Sequence, residues 1–300
     1  MTFVNWFIFS LLGAAFLAVT GVLDKFILQK YVHNSHSYLV ALIILQQAFA
    51  LGIFVIMGAG YVYPQSLYGV MVGVVQIAYW AAYLKALKVE EASRIAALVY
   101  VYPIFVFPMA YFFLGEALSI GDIFGGFLLV LSGILISFRP GTNIRSLIRS
   151  PAIKFMFLFW IFYATYSVCT SYLTDFIDEW HLMMWLSIGN LIAVQYFILR
   201  KDVRSEIRGY LHSGKTFTSA ILSEEIFSFS GRGALIFAYS LGSVALVSSV
   251  AALQPFFTLV YILILGIFRP GLLEEEKDKR TLVLKVLAVF LIIVGIYFVS

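Results

Sequence analysis

Three charged residues lie in a segment whose other side chains are apolar, aromatic or small. Residues 223–240 read SEEIFSFSGRGALIFAYS and include Glu224, Glu225 and Arg232. On an α-helix, Glu225 and Arg232 lie about 20° apart around the axis and roughly 10 Å apart along it. The spacing predicts a polar face, which also holds Ser228 and Tyr239. On it, Arg232 would bind an anionic group and Glu225 would take up a proton.

The Glu225–Arg232 pair has a functional and a structural interpretation. Ionisable groups inside a membrane are costly unless they are paired or hydrated, so they are candidates for function. Long side chains would narrow the gap between the two residues, and a water or a substrate carboxylate would fill the rest. Alternatively, Arg232 pairs with a carboxylate or carbonyl of another helix and only fixes packing. We expect Glu224 near the start of its helix, at the membrane interface.

An earlier segment, residues 67–87, carries a stripe of polar and aromatic side chains. Gln76, Tyr79 and Tyr83 share one helix face by their spacing, and Trp80 lies beside them. Such side chains supply hydrogen-bond donors, acceptors and stacking surfaces to a binding cavity. The alternative is that they pack between helices or at the membrane interface.

Two prolines interrupt apolar segments at Pro103 and Pro255. A proline inside a helix frees a backbone carbonyl one turn earlier, which a neighbouring group or water must then satisfy. We expect either simple kinks or paired hinges beside a substrate cavity. Tyr100 and Gln254, close to the two prolines, are further candidates for lining that cavity.

The sequence holds no pattern typical of an enzyme. There is no HExxH motif, no P-loop and no Ser–His pairing at membrane depth, and His33 and His36 are only loosely spaced in a loop. We therefore expect no enzyme activity, no cofactor, no metal site and no nucleic-acid partner. Without a nucleotide site, transport would be coupled to protons or driven by exchange.

The elements that position these residues are membrane helices. Hydrophobic residues make up 62% of the 300 residues and charged residues only 12%, against about 25% in a soluble domain. Continuous apolar runs such as residues 282–299 are typical of helices and not of alternating barrel strands. We predict an all-α membrane protein with ten transmembrane helices: 3–23, 37–57, 66–87, 92–113, 120–138, 152–174, 181–199, 217–240, 243–267 and 281–299.

The basic residues lie on one side of these predicted spans. Every Lys and Arg except Arg232 lies in or beside an odd-numbered connection, and the other side carries only acidic charges. By the positive-inside rule, the odd-numbered connections are cytoplasmic and both termini are extracytoplasmic. We expect a multi-pass protein of the plasma membrane.

The two halves of the chain resemble each other weakly. ALKVEEASRIAALVYVYPIF (86–105) aligns without gaps to AYSLGSVALVSSVAALQPFF (238–257), so that Pro103 falls on Pro255. Five spans in each half would give two inverted repeats: residues 1–140, a cytoplasmic linker 141–151, and residues 152–300. Counting back from the prolines places Arg232 opposite Trp80, across a central cavity.

These features resemble the EamA-type members of the drug/metabolite transporter superfamily. The resemblance rests on the ALKVEEAS turn, the run ending in YPIF, and FFLGEALSIGDIFGGFLLVLSGILI (112–136). The second half keeps the proline helix but replaces LGE with LGIFRPGLLEEE, where Glu274 is a candidate substitute. Most members of the family that this chain resembles have both termini in the cytoplasm. The charges here predict the reverse, with the family's usual orientation as the alternative.

The resemblance implies a secondary-active transporter. It would move a small polar organic solute, such as a metabolite or an amino-acid-like or drug-like molecule, across the bilayer by alternating access. Arg232 would bind an anionic group, the aromatic residues would stack, and Glu225 would take a proton. The alternatives are a lipid-carrier flippase and a non-transporting membrane assembly protein of the same fold. Substrate, direction, coupling ion and oligomeric state stay open.

Overall fold

The computed structural model describes residues 3–90, 92–137, 150–210, 212–268 and 279–299. The residues in these ranges form helices joined by short connections, with no strand among them. The helices are α1 (Phe3–Lys30), α2 (Ser35–Met57), α3 (Gln65–Val89), α4 (Ala92–Val99), α5 (Pro103–Met109), a π-helical turn (Ala110–Leu114), α6 (Ile120–Ser137), α7 (Ala152–Thr174), α8 (Glu179–Ile198), α9 (Lys201–Tyr210), α10 (Gly214–Leu241), α11 (Val244–Ala251), α12 (Gln254–Phe268) and α13 (Lys279–Val299).

Eight helical segments in the described part of the chain are long and apolar enough to cross a membrane. The expectation of an all-helical membrane protein is therefore confirmed, whereas the count of ten spans stays a prediction. The eight do not include Gly214–Leu241, which holds the buried Glu224 and Glu225 together with Arg232, and the apolar part of α13, Val283–Val299, is shorter than the others. The eight are Asn5–Lys30, Ser35–Met57, Gln65–Val89, Ile95–Leu114, Ile120–Ser137, Ala152–Thr174, Glu179–Ile198 and Val244–Ile264.

Both proline-containing segments are broken into two helices. One break separates α4 from α5, which begins at Pro103, and the other separates α11 from α12 just before Pro255. Neighbouring side chains bind carbonyls around the breaks: Trp160 Nε1 donates to Leu98 O at 2.7 Å. The Tyr102 hydroxyl, in the first break, donates to Ser248 O of α11 at 3.2 Å. The two breaks therefore lie against each other in the fold.

The helices pack in specific pairs across the two halves of the chain. The most extensive contacts join α1 to α10, α3 to α7, α6 to α13, α3 to α8 and α2 to α8. Glycines allow the closest approach, between α3 and α8. A Cβ added to Gly73 would lie 2.2 Å from Leu186 O, and one added to Gly189 would lie 2.1 Å from Val70 O. Small residues thus bring membrane helices into backbone contact.

The connections gather at two ends. At the first end, which we call the basic end, Glu206 Oε1 of α9 accepts from the backbone N of His33 at 2.8 Å. At the opposite end, Glu116 accepts from the Ser243 hydroxyl at 2.6 Å. The grouping agrees with the predicted division of the connections into two sides. Helix α9, which the sequence analysis did not predict, lies within the basic connection between α8 and α10.

Candidate functional site

A cavity of about 290 Å³ lies between α1, α2, α3, α4, α7, α10 and the second helix break. Its lining comes from the late part of α1, the early part of α2 and the late part of α3, which all approach the basic end. Ala251 and Gln254 border it at the second break, and Tyr100 and Tyr102 border it at the first. The cavity therefore extends from the middle of the molecule towards the basic end.

Most of the predicted site residues line this cavity. Gln76 and Glu225 do not: each is buried behind the lining, at 2% and 1% exposure. The predicted residues that line the cavity are Arg232, Ser228, Tyr239, Tyr79, Trp80, Tyr83, Tyr100 and Gln254.

Arg232 and Glu225 form a direct ion pair. Arg232 Nη2 donates to Glu225 Oε1 at 2.8 Å; the Glu225 side chain is buried and that of Arg232 is 15% exposed. The expectation that a water or a substrate carboxylate would bridge them is wrong, because the two side chains are long enough to cover the separation along the helix. The guanidinium that borders the cavity thus already has a carboxylate partner on its own helix.

Glu224 lies well inside its helix and inside the protein, and its depth in the membrane stays a prediction. Helix α10 begins at Gly214, well before Glu224, and the carboxyl group is buried at 2% exposure where it borders the cavity. Its Oε2 atom has no hydrogen-bond partner among the described residues.

Asp24 and Tyr38 line the cavity as well, although the sequence analysis did not select them. Helix α1 continues to Lys30, so Asp24 lies inside the helix and not beyond its end. The Tyr38 hydroxyl of α2 donates to Asp24 Oδ1 at 2.6 Å. Asp24 and Glu224 interact electrostatically with each other and with Arg232. We call Asp24, Glu224, Glu225 and Arg232 the charged wall.

Aromatic rings from α3, the first helix break and α7 meet on another side of the cavity. The ring of Tyr163 is central: its centroid lies 4.8 Å from that of Tyr79 and 4.1 Å from that of Tyr102. Tyr79 also contacts Tyr166 at 5.6 Å. The α7 rings could have been found from their i, i+3, i+4 and i+7 spacing in the sequence. We call this set the aromatic wall: Tyr79, Trp80, Tyr83, Tyr102, Phe159, Tyr163 and Tyr166.

The remaining polar candidates join helices to each other. Asn190 Nδ2 of α8 donates to Gln76 Oε1 at 3.0 Å and to Gln46 Oε1 at 3.2 Å. Gln254 Nε2 donates to Leu17 O at 2.9 Å, which ties the second break to α1. Gln76 thus belongs to a buried amide cluster between α2, α3 and α8.

The end opposite the basic end is closed by helix caps. Glu116 accepts from the Ser243 hydroxyl and, at 2.8 Å, from the backbone N of Val244, and so caps α11 from the first half of the chain. Asp178 caps α8 and accepts from the backbone N of His181 at 3.2 Å. Partial burial raises the pKa of Asp178, but hydrogen bonds from the His181 side chain and backbone outweigh it and hold the pKa below its usual value.

Within the described ranges, no three His, Cys, Asp or Glu side chains are grouped as a metal site would require. Arg145 and Arg149 of the predicted linker and Glu274, the candidate for the missing acidic residue of the second half, lie outside the described residues.

Comparisons with known proteins bear on the fold and the family. One solved structure, described only as "Crystal structure of protein", has a TM-score of 0.69 and 14% sequence identity, over 98% of this chain and 95% of the other. That likeness shows a shared fold. No curated protein matches the sequence. The model of the EamA-like transporter family matches residues 4–138. The predicted resemblance to EamA-type transporters is confirmed by this match, which covers the predicted first repeat of the chain.

Proposed function

We propose that this protein is a secondary-active carrier that moves a small polar organic solute across the plasma membrane by alternating access. The observation that carries the proposal is the central cavity. It is lined by both polar and aromatic side chains and extends towards the basic end, while Glu116 caps α11 at the opposite end. A one-sided cavity at mid-depth is the arrangement expected for one state of such a carrier.

The helix pairing supports two inverted repeats. If each helix of the first half has its equivalent five spans later, α1 corresponds to α7 and α3 corresponds to α10. Replacing each helix by its equivalent then turns the α1–α10 contact into the α3–α7 contact. The same replacement leaves the α6–α13 and α2–α8 contacts unchanged. Such pairing allows the two halves to exchange their packing arrangements when the carrier changes state.

The two helix breaks are the proposed hinges. Pro103 begins α5 and Pro255 lies in the first turn of α12, and the breaks border the cavity. They touch through the hydrogen bond from Tyr102 to Ser248, so a movement at one break is transmitted to the other. In this proposal the basic end is cytoplasmic and both termini are extracytoplasmic.

Thiol labelling tests alternating access without knowledge of the substrate. Cys169 is the single cysteine, so a Cys169→Ser background carries no native thiol. Ser228 borders the cavity and is small, which makes Ser228→Cys a suitable probe. In sealed cells and in inverted vesicles, we expect a membrane-impermeant maleimide to reach this cysteine from either side over time. Labelling from the basic side alone would contradict the proposal of alternating access and favour a non-transporting protein.

Two control positions mark the two sides of the membrane. Ser205 of α9 is exposed at the basic end, and Ala117 is exposed at the opposite end. Ser205→Cys should label only from the cytoplasm and Ala117→Cys only from outside. The reverse result would give the protein the orientation usual in the family while leaving the carrier proposal intact.

A further inference from the structure

The charged wall is unbalanced. It holds three carboxyl groups, on Asp24, Glu224 and Glu225, but a single guanidinium, on Arg232. Among the described lining residues, no Lys or His borders the cavity and Arg232 is the one basic side chain. The bilayer offers no solvent to offset an uncompensated carboxylate, so the imbalance calls for a cation or a proton from outside the protein chain.

The partners of these groups show where the imbalance lies. Arg232 is bound to Glu225 at 2.8 Å, and Asp24 accepts from Tyr38 at 2.6 Å. Glu224 has neither kind of partner: its Oε2 atom is buried and accepts no hydrogen bond from the described residues. Glu225 Oε2 and Arg232 Nε are also buried without a hydrogen-bond partner, but both side chains are joined in the ion pair, so the group on this wall with no ion-pair or hydrogen-bond partner among the described residues is the acid Glu224.

The aromatic wall limits what kind of cation fits. Trp80 and Tyr83 border the same cavity, with ring centroids 5.8 Å apart in an edge-to-face arrangement. Aromatic rings attract a positive charge that lies over a ring face. The other tyrosines supply apolar surface and hydroxyl groups to an organic body. A bare metal ion would use neither feature, whereas an amine with an apolar body would use both.

We propose that the cavity selects organic cations, and that Glu224 accepts hydrogen bonds from the ammonium group of an amine while Asp24 adds a second negative charge. Arg232 then serves to hold Glu225 and is not the anion-binding group that its sequence position predicts. This inference rests on the proposed function, because it names the substrate class of the same cavity.

A series of three probes with one ring and different head groups tests the charge preference. The purified full-length protein in detergent is titrated with 2-phenylethylammonium, 2-phenylethanol and 3-phenylpropionate by calorimetry. A charge-assisted hydrogen bond is worth about 1.5–3 kcal/mol, which corresponds to roughly tenfold or more in affinity. We expect the ammonium to bind at least about tenfold more tightly than the alcohol, and the carboxylate to bind most weakly.

Glu224→Gln removes the charge and keeps the shape. It should lower the affinity for the ammonium by about tenfold or more and leave the affinity for the alcohol unchanged. Asp24→Asn should have a smaller effect in the same direction, and it keeps the test available if Glu224→Gln does not fold. Asp202→Asn removes an equivalent charge from exposed α9, outside the cavity, and should change neither affinity.

Several results would overturn the inference. Equal affinity of wild type and Glu224→Gln for the ammonium would mean that Glu224 carries a proton in place of a ligand. If the ammonium does not bind, the cavity does not select organic cations. If 3-phenylpropionate binds most tightly and this binding is lost in Arg232→Gln, the cavity is an anion site. Failure of the carrier proposal looks different: Ser228→Cys would then label from one side only, while the preference for the ammonium persisted.

Discussion

The charged wall and the aromatic wall lie on two closely packed helix pairs but differ in chemistry. The charged wall lies on α1 and α10, and most of the aromatic wall lies on α3 and α7. Each of these two helix pairs makes one of the most extensive contacts in the molecule. If the two halves are inverted repeats, the pairs are equivalents of each other. Duplicated packing then does not imply duplicated side-chain chemistry at the cavity.

The difference has a physical basis in how each pair is held together. Between α1 and α10, glycines permit close contact: a Cβ on Gly13 would lie 3.2 Å from Gly231 O, and one on Gly231 would lie 2.9 Å from Leu17 Cγ. Between α3 and α7, interlocking rings such as Tyr79 and Tyr163 fill the space. The α1–α10 pair therefore combines close backbone contact with ring pairs such as Phe9 and Phe237, whereas the α3–α7 pair packs through clustered rings.

Removing the carboxylate of the ion pair should have the largest effect on stability. Glu225→Gln removes the carboxylate that pairs directly with Arg232, and the loss of one partner of a buried pair costs about 3–5 kcal/mol. The free energy of unfolding in mixed micelles measures this loss. The double variant Glu225→Gln/Arg232→Gln should recover part of it, because neither member of the pair is then left without the other. A single variant as stable as wild type would mean that the pair contributes nothing to the charged wall.

The sequence predicted the broad arrangement because hydropathy and charge act at the scale of whole helices. The division of connections between two ends follows from where Lys and Arg lie, and the breaks follow from Pro103 and Pro255. The shared face of Ser228, Arg232 and Tyr239 follows from helix geometry, and all three line the cavity.

The finer features depend on quantities that a single sequence does not carry. Asp24 fell outside the predicted span 3–23 because a hydropathy boundary stops at the first charge, and Glu224 was expected near the start of the span 217–240. The helices α1 and α10 extend further. The direct contact of Arg232 with Glu225 depends on side-chain conformations. The contribution of α7 to the aromatic wall depends on which helix packs against α3, and no pattern within residues 67–87 indicates the partner.

Truncating Tyr163, at the centre of the aromatic wall, should have the next largest effect on stability. Tyr163→Ala removes ring contacts to Tyr79, Tyr102 and Phe159, and its cost should be about 2–3 kcal/mol, less than for a fully buried ring because Tyr163 borders the cavity. Tyr163→Phe keeps the ring and should cost about 1 kcal/mol or less. Thermal unfolding in detergent compares the two. An equal loss in both variants would assign the stability to the hydroxyl and not to ring packing.

A smaller effect is expected where the first half of the chain caps the second. Glu116→Gln weakens three acceptor contacts at the start of α11 and should cost about 1–2 kcal/mol. It should also speed labelling of Ser228→Cys from the opposite side, because this cap closes that end. Asp122→Asn is the matched control, since Asp122 caps its own helix with Ser119. A similar gain in labelling in both variants would contradict a closing role for Glu116.

The smallest effect belongs to a carboxylate outside both walls, and it depends on pH. Asp178 is about half exposed, so its hydrogen bonds to His181 should contribute only about 0.5–1 kcal/mol. Because its folded pKa lies below its usual value, the contribution is present at neutral pH and is lost as pH falls through the folded pKa, below about 4. The free energies of unfolding of wild type and Asp178→Asn are compared between pH 7 and pH 3. The difference between them should shrink only near the acidic limit. A difference that already vanished near pH 6 would mean that the folded pKa is raised, as expected for a carboxyl group buried without a partner.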